Sequence, residues 1–573
     1  MNSPLLKGHF MNMNMLQLEK DLNQLFFVIW RNKYLKNCIF NSNYICSSLS
    51  VTLAFFVKQY DYISKNKYNR VEIELIVTRD HFIKYINDYL KLSRDGLVSK
   101  MKFQNFNEPI PQQFFNNGLV SIDFGISFNQ SIKYLFPNSV REIIFSGTFN
   151  KNISASIFPS LLKSLKFGLG YSKNIKGKLP NSVQVLDLGN SNYNDFPSNL
   201  LDLTISAKDK PLPTNLPSSV TRLHYRDLIT VFDPNTIPPN IKELIIMKPS
   251  NNNFYHLRNN SFPMIESIDI DVYGVCLGKD SIPFGAQSVK LSRVFFSNDF
   301  TFPSSIKTLQ LSGIKYSSNI TIPNSVTDLD IKFPDLEQLL PLHFIPPSVI
   351  KLSITNTYIQ PGLLTKTNVK QLVYNGQLVL APNFFPSCLE SLNIMNSPLD
   401  GRFKSTPFNV GLFPSSLTEL EIPCSIDLKR DALSNLLQLK RLAIDVSDRT
   451  NPIDIPRSVT DLSVESSDVI HFDNLSIPRG LKKLRLNQSK NNSKLLFKPH
   501  YLPNTLTLID FGYGISELPD HLPQSLIYLK NTPPIHKEFI HLFPNLFELH
   551  MTPVNYDLST FKLNSLINSI LIK

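Results

Sequence analysis

Few residues in this chain have the types and spacing that could perform chemistry. Asp328 and Asp330 lie two residues apart, which places both carboxylates on one face of a strand, where they could exchange protons or bind a metal ion. Solvated residues of a sheet give the same pattern, and that is the interpretation we favour. His536, His541 and His550 lie near the C-terminus, but their spacings of five and nine residues match no zinc-binding pattern. They are predicted to be surface or end-cap residues.

Sequence motifs of catalysis and of cofactor binding are missing. The chain has no GxxxxGK(S/T) loop, no GxSxG elbow, no HExxH pair and no kinase signature. GLG at Gly168 and GYG at Gly512 lack the third glycine and the strand-to-helix setting of a dinucleotide site, and they are predicted to be turn glycines. The sequence therefore predicts a protein that is not an enzyme and that has no cofactor and no metal site.

The composition is that of a folded protein. Of 573 residues, 42% are hydrophobic and 18% are charged, whereas a disordered chain would have too little apolar surface to fold. The longest apolar runs, such as Val51–Val57, are far shorter than the roughly 20 residues that cross a bilayer. The N-terminus lacks the apolar core of a secretory signal, and the five cysteines show no CxxC spacing. These features predict a cytoplasmic protein without membrane spans.

The N-terminal part differs from the rest of the chain. Only Pro4 of the 40 prolines precedes Pro109. Apolar residues at helical spacing predict an amphipathic helix over Leu16–Phe40 and a second helix over His81–Leu92. Between them, the alternation of apolar and charged residues predicts a strand over Val71–Asp80. We therefore expect a small, mainly helical module over residues 1–100.

One phrase recurs throughout the remainder of the chain. It reads apolar, Pro, two small or polar residues, apolar, two variable residues, Leu or Ile, any residue, apolar, as in FPNSVREIIF and IPNSVTDLDI. The spacing is about 20 to 22 residues, with a few longer insertions. Its prolines are Pro137, Pro159, Pro180, Pro197, Pro217, Pro238, Pro263, Pro283, Pro303, Pro323, Pro346, Pro386, Pro414, Pro456, Pro478, Pro503, Pro523 and Pro544.

A repeat of this length and pattern predicts a leucine-rich-repeat-like solenoid. The Leu and the apolar residue two positions later face the same side of a strand, while the proline turns the chain into each strand at a constant place. One repeat buries too little to fold alone, so successive repeats must stack. We expect an α+β protein: about 20 short repeats forming a long parallel sheet over residues 101–555, preceded by the helical module and followed by a cap over residues 556–573.

The motif FN-x-x-I recurs beside the proline phrase. It appears as FNEPI at Phe106, FNQSI at Phe128 and FNKNI at Phe149, with the relaxed form YSKNI at Tyr171. In these residues the chain resembles the FNIP-repeat family, short leucine-rich-repeat relatives of the social amoeba type. The resemblance implies a binding scaffold and names no partner. We expect the repeated Asn to turn inward and hydrogen-bond backbone groups left free at the bend.

The outward strand residues, those that flank the inward Leu, are the candidate contacts for a protein partner. They are mixed in sign along the array, so the charge of +12 does not make a continuous phosphate track and nucleic acid is disfavoured. A mixed polar face suits a protein partner. The candidates are Arg222, His224, Asp328, Asp330, Glu419, Glu421, Lys483 and Arg485.

The N-terminal helix is a second candidate site. Aromatic and basic residues interleave there, as in helices bound by calmodulin: Trp30, Arg31, Lys33, Tyr34 and Lys36. IWRNKYL (Ile29–Leu35) also resembles the segment that precedes FNIP arrays, and some family members carry an F-box there that binds a Skp1-like linker of a ubiquitin ligase. The chain lacks the LP-x-E/D opening of an F-box. The leading prediction is a non-enzymatic protein-interaction scaffold, and the alternatives are an F-box-like substrate adaptor and a calmodulin-binding scaffold.

Overall fold

The structure is a computed structural model. It describes residues 48–58, 60–65, 72–92, 96–145, 147–206, 213, 215–226, 238–247, 255–257, 265–314, 320–333, 340–355, 359, 362–375, 384–395, 411–422, 428–446, 452–466, 475–488, 493–494, 501–512, 515–517, 522–532, 548–551 and 569–572. The chain divides into two compact units, residues 1–48 with 67–72 and residues 49–66 with 73–573. Of the first unit only Ser48 and Glu72 are described.

A parallel sheet of 25 strands dominates the second unit. Strands that follow one another in the list below are paired in the sheet. From β2 to β32 these pairings are parallel. The strands are β1 (Ser48–Thr52), β2 (Glu72–Thr78), β3 (Val98–Gln104), β4 (Ser121–Asp123), β5 (Glu142–Phe145), β6 (Ser164–Phe167), β7 (Val185–Leu188), β8 (Asp202–Ser206), β9 (Arg222–Arg226), β10 (Glu243–Met247), β12 (Ser267–Asp271), β14 (Ser288–Ser292), β16 (Thr308–Ser312), β17 (Asp328–Lys332), β18 (Lys351–Thr355), β19 (Gln371–Asn375), β20 (Ser391–Ile394), β21 (Glu419–Ile422), β22 (Arg441–Asp445), β24 (Asp461–Ser466), β26 (Lys483–Gln488), β28 (Leu508–Asp510), β30 (Tyr528–Thr532), β31 (Glu548–Met551) and β32 (Ser569–Ile572).

Short strands also pair on the far side of some repeats. They form one sheet of β11 (Tyr255–Leu257), β13 (Val275–Leu277) and β15 (Phe295–Phe296), and two pairs, β23 (Ile453–Asp454) with β25 (Leu475–Ser476) and β27 (Ser493–Lys494) with β29 (Ile515–Glu517). The repeats that the structure describes contain no α-helix and only two single 3-10 turns, Gln112–Phe114 and Ala155–Ile157. The predicted leucine-rich-repeat-like solenoid is confirmed.

The proline of each phrase starts a turn that leads into the strand. The Pro137 carbonyl accepts a hydrogen bond from the Val140 N–H at 3.0 Å, and the same bond forms from Val459 to Pro456. The next two amides, those of Arg141 and Glu142, both donate to the Val120 carbonyl of the preceding repeat. Backbone groups at the bend are thus satisfied by the neighbouring repeat, which explains why repeats must stack.

Columns of identical side chains fill the core. Phe103, Phe124, Phe145 and Phe167 stack nearly parallel across β3 to β6, with centroids 4.7 to 5.5 Å apart. A second column contains the aromatic residues of the FN motif, Phe106, Phe128, Phe149 and Tyr171. All eight side chains are buried. The recurring Phe is therefore an inward packing residue that each repeat contributes at the same height.

The repeated Asn bonds in a different way from our expectation. Asn107 is exposed and Asn129 and Asn150 are partly exposed, so they do not turn inward. Asn107 Oδ1 accepts the backbone N–H of Asn129 at 2.8 Å, and Asn129 Oδ1 accepts that of Asn150 at 3.0 Å. The predicted bond to backbone is correct, but it joins consecutive repeats at their surface.

Before the regular array, the described residues form three helices: α1 (Leu53–Lys58), α2 (Tyr60–Lys65) and α3 (Arg79–Leu92). Thr78 Oγ1 accepts the His81 N–H at the start of α3. Phe82 and Tyr89 lie on the same face of α3, two turns apart. Phe82 contacts Phe106 and Tyr89 contacts Phe114 of the array. Helix α3 therefore covers the aromatic columns where the array begins. Whether residues 1–100 act as a separate module stays a prediction, as does the cap, of which only β32 is described.

Candidate functional site

The strand face consists of the side chains at the first, third and fifth positions of the main-sheet strands. In β9, Leu223 and Tyr225 are buried while Arg222, His224 and Arg226 point to the opposite side. The same alternation holds in β17 and β18. Because the pleat has a period of two, one inward Leu per repeat determines which side chains form the face.

The eight predicted contact residues lie at four separate places on this face. They occupy β9, β17, β21 and β26 at the first and third positions. Strands β21 and β26 are separated by β22 and β24, so their residues lie about 14 Å apart, since neighbouring strands are spaced by about 4.8 Å. The predicted residues therefore line a strip, and they do not converge on one pocket.

Arg222 is held between two carboxylates of neighbouring strands. Its Nη1 lies 3.0 Å from Asp202 Oδ2, and its Nε lies 2.6 Å from Glu243 Oε2. The bond to Glu243 and then the bond to Asp202 raise the pKa of the guanidinium above its ordinary value. Asp202 and Glu243 are the residues in register with Arg222 on the two neighbouring strands. These ion pairs therefore form only when three repeats stack.

His224 lies on the same strand in a half-buried position. Burial, and then the positive charge of Arg226, lower the pKa of its imidazole. Its Nε2 has no hydrogen-bond partner within the described part of the chain. This nitrogen is itself buried, so it is not exposed to a partner at the strand face. The described residues around it do not form a catalytic set.

The acidic candidates are bonded to polar neighbours. Asp330 Oδ2 accepts from Gln310 Nε2 at 2.8 Å. Glu421 Oε2 accepts from Asn393 Nδ2 at 2.8 Å. Partial burial, and then the charge of Glu465, raise the pKa of the Glu421 carboxyl. Both carboxylates thus accept hydrogen bonds from amides of the neighbouring strand, which supports the interpretation of Asp330 as a sheet residue.

The remaining candidates divide into paired and unpaired groups. Arg485 Nη1 bonds Asp461 Oδ1 at 2.8 Å, and Glu419 accepts from Ser391 Oγ at 3.2 Å. Asp328 and Lys483 are without an ion-pair partner among the residues that the structure describes. A partner could therefore neutralise these two charges without breaking an existing ion pair.

Within the described residues, no group of three or more His, Cys, Asp and Glu side chains could hold a metal ion. Gly168 lies in the turn after β6, and Gly512 has a φ of 56°, in agreement with turn glycines. His536 and His541 lie outside the described residues, and His550 is in β31. The helices that the structure describes include none long and apolar enough to cross a membrane.

The second candidate site cannot be compared with the structure. The described residues do not include its members, Trp30, Arg31, Lys33, Tyr34 and Lys36. Binding of calmodulin or of a Skp1-like linker stays a prediction.

Sequence reasoning missed the partners that orient the predicted residues. Arg226 bridges to Asp187, and Asp202, Glu243 and Asp461 hold the predicted arginines. Part of the signal was present, because aligning the proline phrases places Asp202 and Glu243 at the same strand position as Arg222, in the repeats before and after it. The alignment does not give the partners of Arg226 and Arg485, which lie at a different strand position from their acids.

Fold and strand face together define a leucine-rich-repeat-type solenoid. Residues 128–170 and 149–191 match the family model "FNIP Repeat", so the chain carries FNIP repeats there. No curated protein sequence matches the chain.

Solved structures that are similar to the chain include the following two. One is described as "The crystal structure of CroV588 a novel circular LRR protein structure", with 20% identity, a TM-score of 0.46, and coverage of 83% of this chain and 79% of that chain. The other is YopM from Yersinia enterocolitica WA-314, with 17% identity, a TM-score of 0.31, and coverage of 83% of this chain and 98% of that chain.

Proposed function

We propose that this protein is a non-enzymatic scaffold that binds another protein through its strand face and works in the cytoplasm. The observation that supports the proposal is the cross-strand pairing described above. Outward charges are held in fixed positions by neighbours in register, and a few charges on the same face are left unpaired. Such a face is preorganised, so little side-chain entropy is lost when a partner binds.

The centre of the face, β17 and β18, is the part that we expect to contact the partner. Asp328 and Lys351 are adjacent in register at the first strand position and neither is ion-paired within the described residues. Ser353, at the third position of β18, is small and half-buried beside Asp330. The small Ser353 leaves room for a partner side chain beside the opposite charges of Asp328 and Lys351, so we expect a partner surface that is polar and complementary in charge.

Site-specific photo-crosslinking in cells tests the proposal. Benzoylphenylalanine in place of Ser353 should capture a defined protein, whereas the same residue in place of Asn138, which is exposed in the turn before β5, should not. The double charge reversal Asp328→Lys and Lys351→Glu should weaken capture of that protein about tenfold. Equal capture from both positions, or none from Ser353, would contradict binding through this face.

A further inference from the structure

A second surface lies along the border of the sheet that is formed by the N-terminal ends of β22, β24 and β26. Its exposed side chains, which we name the edge patch, are Leu437, Lys440, Arg457, Arg479 and Lys482. Leu437 is 77% exposed, the largest exposed fraction of the large hydrophobic side chains described. These residues were not among the predicted contacts, because they precede the strand face.

Backbone hydrogen bonds place the patch residues in two columns. The first column contains the second residue of three equivalent turns: Leu437, Arg457 and Arg479. Each turn is closed by a backbone hydrogen bond from its fourth residue to its first, namely from Leu439 to Leu436, from Val459 to Pro456 and from Leu481 to Pro478. Lys440 and Lys482 immediately precede their strands, and the Thr460 amide and carbonyl connect them at 2.9 and 2.8 Å. With neighbouring strands about 4.8 Å apart, each column extends about 10 Å.

The four cations of the patch are unpaired within the described residues. At the same position before the strand, Lys242 pairs with Glu266 at 2.9 Å and Lys370 pairs with Glu390 at 2.7 Å. The nearest acid that starts a strand here, Asp461, is occupied by Arg485. The patch thus has excess positive charge, whereas the lysines at the equivalent position in two other repeats, Lys242 and Lys370, are neutralised by the following repeat.

We propose that the edge patch binds an acidic segment of a partner protein that carries one apolar side chain. The carboxylates would pair with Arg457, Arg479 and the two lysines, and the apolar side chain would cover Leu437. An extended peptide spans about 10 Å in about three residues, so the apolar residue and its acids lie within about four positions. Nucleic acid fits less well, because the patch offers no aromatic ring on which a base could stack. The proposal does not depend on the strand face.

Fluorescence anisotropy of the full chain with synthetic peptides tests this proposal. The probe is a labelled decapeptide with one Leu followed by three Glu in a Gly-Ser background. Its comparison peptides replace the Glu residues with Gln, or the Leu with Ser, and single-stranded DNA of the same charge is the nucleic-acid probe. We expect the first peptide to bind and each comparison peptide to bind about tenfold more weakly.

The protein variants separate a site from net charge. Arg457→Glu with Arg479→Glu, and separately Leu437→Ser, should weaken peptide binding about tenfold. The matched control, Lys163→Glu with Lys307→Glu, changes the same charge at exposed positions before β6 and β16 and should leave binding unchanged. Asp328→Lys with Lys351→Glu, the strand-face variant, should also leave it unchanged.

The proposal is overturned if the control weakens binding as much as the patch variants, if Leu437→Ser has no effect, or if the DNA binds as tightly as the peptide. Absence of peptide binding at about millimolar concentration would also overturn it. Circular dichroism of each variant shows whether the fold is retained. Loss of strand-face crosslinking with peptide binding intact would reject the proposed function alone.

Discussion

The guanidinium of Arg226 reaches across one strand of the sheet to the carboxylate of Asp187. Arg226 Nη2 lies 3.0 Å from Asp187 Oδ2, and the two side chains are only 26% and 14% exposed. Asp187 Oδ1 also accepts the Gly189 N–H at 3.0 Å. The pair therefore connects β7 to β9 over β8, and it ties three repeats together through one half-buried ion pair.

Removing one partner of this pair should loosen the three repeats. Arg226→Met leaves the Asp187 carboxylate buried without its cation, at a cost of about 1–3 kcal/mol. Adding Asp187→Asn should recover most of this loss, because the amide still accepts the Gly189 N–H. Hydrogen-deuterium exchange of β7 to β9 measures the effect. Additive losses in the double variant would mean that the two residues are not coupled.

The same carboxyl should make stability depend on pH. Burial raises the pKa of Asp187 above its ordinary 3.8, and the Gly189 and Arg226 contacts offset this only in part. The folded state thus holds the proton more tightly than the unfolded state, so this contribution to stability is complete below pH 3.8 and is lost as pH rises through the folded pKa.

Melting curves between pH 3 and 7, roughly the range in which carboxyls titrate, measure this dependence. Asp187→Asn should gain stability relative to the natural chain as pH rises through this range, and Arg226→Met should lose it more steeply. A gain for Asp187→Asn that instead shrinks with rising pH would show the opposite sign of the pKa shift.

The aromatic column should be the most sensitive part of the core. Phe145 is fully buried and stacks on Phe124 at 4.7 Å and on Phe167 at 5.3 Å. Phe145→Ala should cost about 3–5 kcal/mol, while Phe145→Leu should cost less because it retains more of the volume. Thermal unfolding checks this. Phe284→Ala, at a side chain that is 75% exposed, serves as the control and should be nearly neutral.

The surface Asn bonds should protect single amides. Asn129→Ala removes the acceptor of the Asn150 N–H and should cost about 1 kcal/mol, with faster exchange of that amide. Asn129→Asp retains an acceptor oxygen and should keep the protection. Asn138→Ala, in an exposed turn, should not change it. If the exchange of the Asn150 amide is unaffected by Asn129→Ala, the bond contributes nothing to stability.

The sequence alone determined the period, the strands and the inward residues of this protein. These follow from local geometry, because a proline limits its own φ and a strand alternates its faces whatever the rest of the chain does. Thus Leu223 and Leu329 could be assigned to the core, and Arg222 and Asp328 to the face, from the printed phrase.

Only the tertiary structure decided which of those outward groups are satisfied. Arg226 meets Asp187 across 39 residues of chain, and Asn129 bonds the next repeat where we expected an inward turn. Contacts of this kind depend on the stacking distance and on the exact register between repeats. Neither quantity is encoded within one repeat, so the unpaired cations of the edge patch became visible only when the repeats were stacked.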